Sequence, residues 1–224
     1  MIRLHIIAEG NTEKRFVEEL LCSHLGQFDV VTDVCCVMTK RDYKAGLTFK
    51  GGLPNYHKAK NDILRRINSD NHPECRFTTM FDLYALPNDF PGYQAAQKET
   101  NPYTKISVLE NALSVDINDC RLIPYIQLHE FEALIFSDPQ KLSVAYLESQ
   151  HGIDNLIKLS KKEQPEEINE GFETAPSRRI MAQIAGYDKV YAGYTITEAI
   201  GLEKIRDRCQ HFNEWLTKLE NLNS

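Results

Sequence analysis

The sequence predicts an α/β protein, a parallel sheet flanked by helices and followed by a mainly helical C-terminal part. Two observations carry this. Short apolar, β-branched segments alternate with stretches whose apolar residues recur at helical spacing. The apolar segments also tend to end in acidic residues, as strands do when their carboxyl ends line a ligand crevice. Residues 2–8 (Ile-Arg-Leu-His-Ile-Ile-Ala) read as a buried first strand that runs into Glu9-Gly10-Asn11-Thr12-Glu13. Gly10 permits a tight turn there. Asn11 or Thr12 suits a helix cap, which puts Glu13 in the first helical turn.

The remaining elements follow in order. A first helix is expected over about 12–25, carrying Phe16, Val17, Leu20, Leu21 and Leu25 on one face. Residues 29–38 read as a second strand. Residues 39–54, with Gly46, Gly51 and Gly52, read as a mobile basic loop. A helix is expected over about 56–67 and a third strand over 76–81, ending at Asp82. Pro87 and Pro91 make the next stretch a loop. A helix over 105–114 and a fourth strand over 121–128 lead to His129-Glu130-Phe131-Glu132. Residues 158–173 read as an exposed connection, and 198–222 as one long last helix. The expected division is an α/β core over 1–140 and a helical extension over 141–224.

Bulk composition narrows the class. A chain of 224 residues, 42% apolar and 26% charged, can build one sizeable core. No apolar run approaches the ~20 residues of a membrane span. The first residues enter a strand directly, without a signal pattern, so a cytoplasmic location is expected. The six cysteines show no CxxC pair or zinc-like spacing and are expected to be reduced and mostly buried. No Walker-type glycine loop is present, which argues against ATP hydrolysis by this chain.

The chain is acidic overall, at −6, which argues against a general nucleic-acid coat. Residues 40–66, however, hold eight basic residues against two acidic ones, a local charge of +6. Lys58, Lys60, Arg65 and Arg66 lie in its helical part and are candidate phosphate contacts; a solvated helix face is the other reading. Arg178 and Arg179, just after a plausible helix start at Ser177, and Lys189 are further candidates. Arg206 is another basic residue able to neutralise a phosphate.

Glu9, Asp82 and the Glu130/Glu132 pair each close a predicted strand, and Glu13 lies nearby. In a parallel sheet such residues gather on one edge. Like charges so gathered repel, and a hard divalent cation relieves that. Oxygen-only ligands select Mg²⁺, Mn²⁺ or Ca²⁺ over zinc. His129 reads as base, ligand or packed core residue. If 121–132 stays extended, Glu130 and Glu132 share one side. If a helix starts near Phe131, Glu132 turns away.

The strand ending in Glu9-Gly10 with Glu13 four residues on, and the later strand ending in Asp82, resemble the TOPRIM domain of topoisomerases, primases and overcoming-lysogenization-defect nucleases. The stretches Asp82-Leu83-Tyr84-Ala85-Leu86-Pro87, Asp89-Phe90-Pro91-Gly92, His129-Glu130-Phe131-Glu132-Ala133-Leu134 and Thr174-Ala175-Pro176-Ser177 are similar to a bacterial family of TOPRIM-like proteins. The resemblance implies a metal-dependent nuclease using Mg²⁺ or Mn²⁺; Glu9, Asp82 and one of Glu130 and Glu132 are the expected ligands, with Glu13 beside them. It also implies a nucleic-acid substrate, an ABC- or AAA-type ATPase partner and a role in phage defence. One departure is clear. The usual Asp-x-Asp is here Asp82-Leu83-Tyr84, so Asp89 or the Glu130/Glu132 pair would supply the missing acid. The competing expectation is a non-catalytic interaction module with a vestigial or regulatory metal site.

Overall fold

The first strand, β1 (Ile2–Ala8), alternates buried Ile2 and Leu4 with outward Arg3 and His5, then buries Ile6, Ile7 and Ala8 outright. That pattern suits a central strand covered on both faces at one end. The structure, a computed structural model, describes residues 1–37, 40–42, 47–49, 53, 55–84, 86–168, 171 and 173–223, with 40–42 and 47–49 by backbone alone. The described chain divides into two compact units, residues 1–126 with 219–224, and residues 127–218. The boundary expected at residue 140 falls inside the second unit, in the 3₁₀ turn Pro139–Val144.

In the first unit, helix α1 (Asn11–Phe16), a π-helical turn (Val17–Leu21) and helix α2 (Cys22–Gly26) follow β1 as one helical run. Its residues Phe16, Val17, Leu21 and Leu25 are fully buried. Each such side chain contributes roughly 1.5–3 kcal/mol by leaving water. Strand β2 is Val30–Cys36. The expected loop after it contains two short antiparallel strands, β3 (Lys40–Asp42) and β4 (Leu47–Phe49). The glycines expected to loosen it, Gly46, Gly51 and Gly52, lie outside the described residues. Helix α3 (Tyr56–Ser69) leads to strand β5 (Cys75–Asp82), and short α4 (Tyr93–Ala96) leads to α5 (Pro102–Ile117). Gly92, at φ 78°, turns the chain into α4, and a Cβ there would lie 2.8 Å from that of Ala112.

The expected fourth strand is interrupted. Pro124 has no N–H to give a ladder, so two short strands result, β6 (Leu122–Ile123) and β7 (Ile126–Gln127). Threonines on β5 repair the gap. The Thr78 hydroxyl donates to the Ile123 carbonyl at 2.6 Å, and the Thr79 hydroxyl donates to the Tyr125 carbonyl and accepts its N–H. The sheet order is β2-β1-β5-β6, with β7 also pairing β5, and β1 runs parallel to both neighbours. The fold is therefore α/β, as the sequence predicts.

The second unit is helical. It begins with 3₁₀ turns at Phe131–Ser137 and Pro139–Val144, then α6 (Gln150–Ser160), α7 (Pro176–Gln183), α8 (Lys189–Ile200), α9 (Leu202–Arg208) and α10 (Gln210–Glu220). The single last helix expected over 198–222 is broken twice. Gly201 sits at φ 83°, and Cys209 is extended. Nor is 158–173 simply an exposed connection, since Glu166 and Ile168 are fully buried. None of the six cysteines forms a disulfide, and only Cys75 and Cys209 are buried. Among the described residues no helix is long and apolar enough to cross a membrane.

Candidate functional site

The parallel register decides where Glu9 and Asp82 lie. Ala8 pairs with Met80, and the Glu9 N–H continues the ladder to the Met80 carbonyl at 3.0 Å. Glu9 therefore leaves β1 beside the last residues of β5. Its Oε2 accepts the Asp82 N–H at 2.9 Å. Two carboxylate residues thus adjoin at the carboxyl ends of neighbouring parallel strands, where α/β sheets keep their ligands.

Glu13 has a structural task in the same turn. Gly10, not Asn11 or Thr12, occupies the cap position of α1, and Glu13 Oε2 accepts the Gly10 N–H at 2.8 Å. This is half of a capping box, with glycine lacking the side chain for the other half. Asp89 is also committed. Both its oxygens accept the Tyr56 N–H, at 3.0 and 3.1 Å, at the start of α3. It serves that helix end.

In the second unit His129 adopts a left-handed backbone, φ 64°. That reversal ends the extended chain, leaves Glu130 extended, and starts the 3₁₀ turn at Phe131. Glu130 and Glu132 are buried and close no strand, contrary to expectation. The helical alternative is the one observed, yet Glu132 does not turn away from Glu130. Lys189 Nζ lies 3.5 Å from Glu130 Oε1 and 3.4 Å from Glu132 Oε1. Glu130 also takes the start of α7, accepting the Ser177 N–H at 2.9 Å and the Ser177 hydroxyl at 3.0 Å. The buried Tyr187 hydroxyl lies near this group. Burial, with Glu132 close by, pushes its pKa well above the usual phenol value.

Most of the basic residues expected to meet phosphate have partners within the chain. The anion at the start of α7 is the chain's own Glu130. Arg178 is exposed, and Arg179 donates to the Thr174 carbonyl at 2.7 Å. Lys189 serves the two glutamates, and Arg206 donates to Asn213 and Thr217. On α3, Lys60 pairs with Asp116 at 2.8 Å, Arg65 with Asp62 at 2.8 Å, and Arg66 with Asp33. Lys58 is exposed.

With this geometry in view, comparison with known families gives a clear match over residues 8–220. The chain belongs to the DUF4276 family, a domain of unknown function. No curated protein matches it, and no solved structure does.

One group in this DUF4276 chain escaped the sequence reading. His5 stands across the sheet from Asp33 and, one step along its own face of β1, near the start of β5. Its Nδ1 lies 2.7 Å from Asp33 Oδ1 and its Nε2 lies 2.9 Å from Asp70 Oδ2. Arg3 pairs with the other Asp70 oxygen at 2.7 Å, and Arg66 Nη2 lies 2.9 Å from His5 Nδ1. The hydrogen bond to Asp33 raises the His5 pKa, against burial, with Asp70 helping. Burial pushes the Asp33 carboxyl up, but His5 and Arg66 outweigh it and hold it at about 2. Hydrogen bonding from His5 holds Asp70 at about 2 as well. The signal in the sequence was Arg3 and His5 at alternate positions of an otherwise apolar strand.

Proposed function

We propose that this chain is a Mg²⁺- or Mn²⁺-dependent phosphodiesterase that cleaves nucleic acid. The observation that carries the reading is the Glu9–Asp82 contact at the carboxyl ends of β1 and β5. The TOPRIM resemblance supports it, since its acidic motifs fall on these two residues. The donor chemistry fits, because Glu9 and Asp82 offer only hard oxygens. Bound by them, the cation would supply an acidified water and offset charge on the phosphate.

The chain's own contribution is preorganisation. The Asp82 N–H fixes Glu9 Oε2, and Glu13 fixes the turn at Gly10 between the two glutamates. Exposed Lys58 on α3 would supply a phosphate-backbone contact that reads no sequence. An ATPase partner and a role in phage defence follow from the resemblance alone. The test is cleavage of plasmid and RNA across Mg²⁺ and Mn²⁺, with and without an ABC- or AAA-type ATPase added. Glu9→Gln and Asp82→Asn should each abolish metal-dependent cleavage while leaving the fold intact. Cleavage that persists in both variants overturns the reading.

A second reading is a non-catalytic interaction module. What favours it is that Glu13, Glu130 and Glu132 all have structural partners. A Mn²⁺ titration separates the two, because a module with a vestigial site binds none.

A further inference from the structure

We propose a zinc site at the amino-terminal side of the sheet, formed by His5 Nε2, Asp70 Oδ2 and Cys75 Sγ. One ligand atom from each of the three residues lies within 4.8 Å of the other two, and His5 Nε2 is 2.9 Å from Asp70 Oδ2. The register explains why. Arg3 pairs with Cys75 and His5 with Phe77, so His5 and Cys75 sit on the same face of adjacent parallel strands, two positions apart. Asp70, at the end of α3, closes the group from the loop before β5. This site shares no residue with the Glu9–Asp82 site and does not depend on it.

The chemistry of His5 asks for a cation. A carboxylate lies on each ring nitrogen, Asp33 on Nδ1 and Asp70 on Nε2. A neutral imidazole carries one N–H, so it can donate to only one of them. With the proton on Nε2, the Nδ1 lone pair can accept from Arg66 Nη2 at 2.9 Å; with the proton on Nδ1, the Nε2 lone pair faces the Asp70 carboxylate. A proton on His5 resolves that, and so does a metal ion between Nε2 and Asp70. With the proton on Nδ1, Asp33 orients the ring as carboxylates orient metal-binding histidines. Asp33 itself is held by Arg66, and Asp70 Oδ1 by Arg3, which leaves Oδ2 to face the site.

The donor set selects the metal. One nitrogen, one oxygen and one sulfur suit borderline-soft Zn²⁺ rather than Mg²⁺ or Ca²⁺. Zinc ligands at bond lengths of about 2.0–2.3 Å stand roughly 3–4 Å apart, so the group needs only a small contraction. Burial, with Asp70 adding to it, pushes the Cys75 thiol up to about 11. Zinc must therefore displace a proton from Cys75, and from His5 where it is charged, so affinity should rise with pH. Arg3 and Arg66 face the group and offset the charge of Asp33, Asp70 and the thiolate.

The test uses the full chain, stripped with chelator and titrated with Co²⁺. A thiolate-to-cobalt charge-transfer band should appear in the near ultraviolet, saturate at about one equivalent, and vanish when Zn²⁺ displaces the cobalt. Cys75→Ser should lose the band, and Glu9→Gln should keep it. Asp33→Asn, folded by circular dichroism, should weaken Zn²⁺ binding about 10–100-fold, because the ring loses its orienting partner. That variant decides the matter if Cys75→Ser does not fold. The proposal is overturned by no band in the wild type, by an unchanged band in Cys75→Ser, or by unchanged Zn²⁺ affinity in Asp33→Asn.

Discussion

The Glu130 carboxylate accepts both the backbone N–H and the hydroxyl of Ser177, 47 residues away, at 2.9 and 3.0 Å. A buried acid thereby holds the first turn of α7, where unpaired N–H groups and the helix dipole favour negative charge. Lys189 then balances the charge of Glu130 and Glu132 together.

Glu130→Ala should cost about 2–4 kcal/mol, since it leaves both Ser177 donors buried without an acceptor. Ser177→Ala removes only the hydroxyl and should cost about 1 kcal/mol. Glu130→Gln should fall between them. Urea unfolding of the three variants measures the order. If Glu130→Ala loses less than Ser177→Ala, the carboxylate is not an anchor for α7.

Glu166 repeats the device on α10. It is fully buried, and its two oxygens accept the His211 and Phe212 N–H groups, each at 2.9 Å. That helix carries buried Phe212, Trp215 and Leu216. Glu166→Ala should cost about 2–3 kcal/mol, and hydrogen exchange at the amides of 211 and 212 should accelerate first. Exchange that rises uniformly along α10 would show that the carboxylate does not act as a local cap.

What the sequence made legible was periodic and local. Apolar runs marked β1 and β5, and helical spacing marked α3 and the helical run after β1. The α/β class and the acids Glu9 and Asp82 at strand ends followed from those patterns. Pairings between remote residues leave no such trace. Nothing near Glu130 points to Ser177, and nothing near Glu166 points to His211. The strand expected to run through 128 failed because one proline removed a donor and one histidine took a left-handed conformation. Gly201 broke the last helix by its backbone, while the apolar spacing on either side still read as continuous. In the basic segment, charge counted along the chain carries no trace of Asp116 and Asp33, the remote acids that pair with Lys60 and Arg66.

That segment yields a graded prediction. Lys58→Ala should leave stability within about 0.5 kcal/mol. If it meets a phosphate, the logarithmic salt slope of nucleic-acid binding should fall by roughly 0.7–0.9. Arg66→Ala should instead lower stability, because Asp33 and His5 lose their guanidinium partner. An unchanged slope in Lys58→Ala makes α3 a solvated face.

His5 sets the pH dependence of the first unit, measured with chelator present. Its folded pKa is raised above 6.5 by Asp33 and Asp70. The stability it contributes is therefore fully present below pH 6.5 and is lost as pH rises through the folded pKa. Asp33 and Asp70 have the opposite sense. Their carboxyls are lowered from 3.8 to about 2, so their contribution is present above pH 3.8 and is lost as pH falls toward 2. The two windows overlap between pH 3.8 and 6.5, where imidazolium and carboxylates are charged together. His5→Gln keeps the size of the side chain but cannot take the extra proton. Its destabilisation should be largest near pH 5 and shrink by pH 8, by up to about 1 kcal/mol after solvent screening. Urea unfolding of wild type and variant at both pH values reads the difference. A penalty that grows with pH instead would mean that His5 is neutral when the protein is folded and that Arg66, rather than Asp33, sets its state.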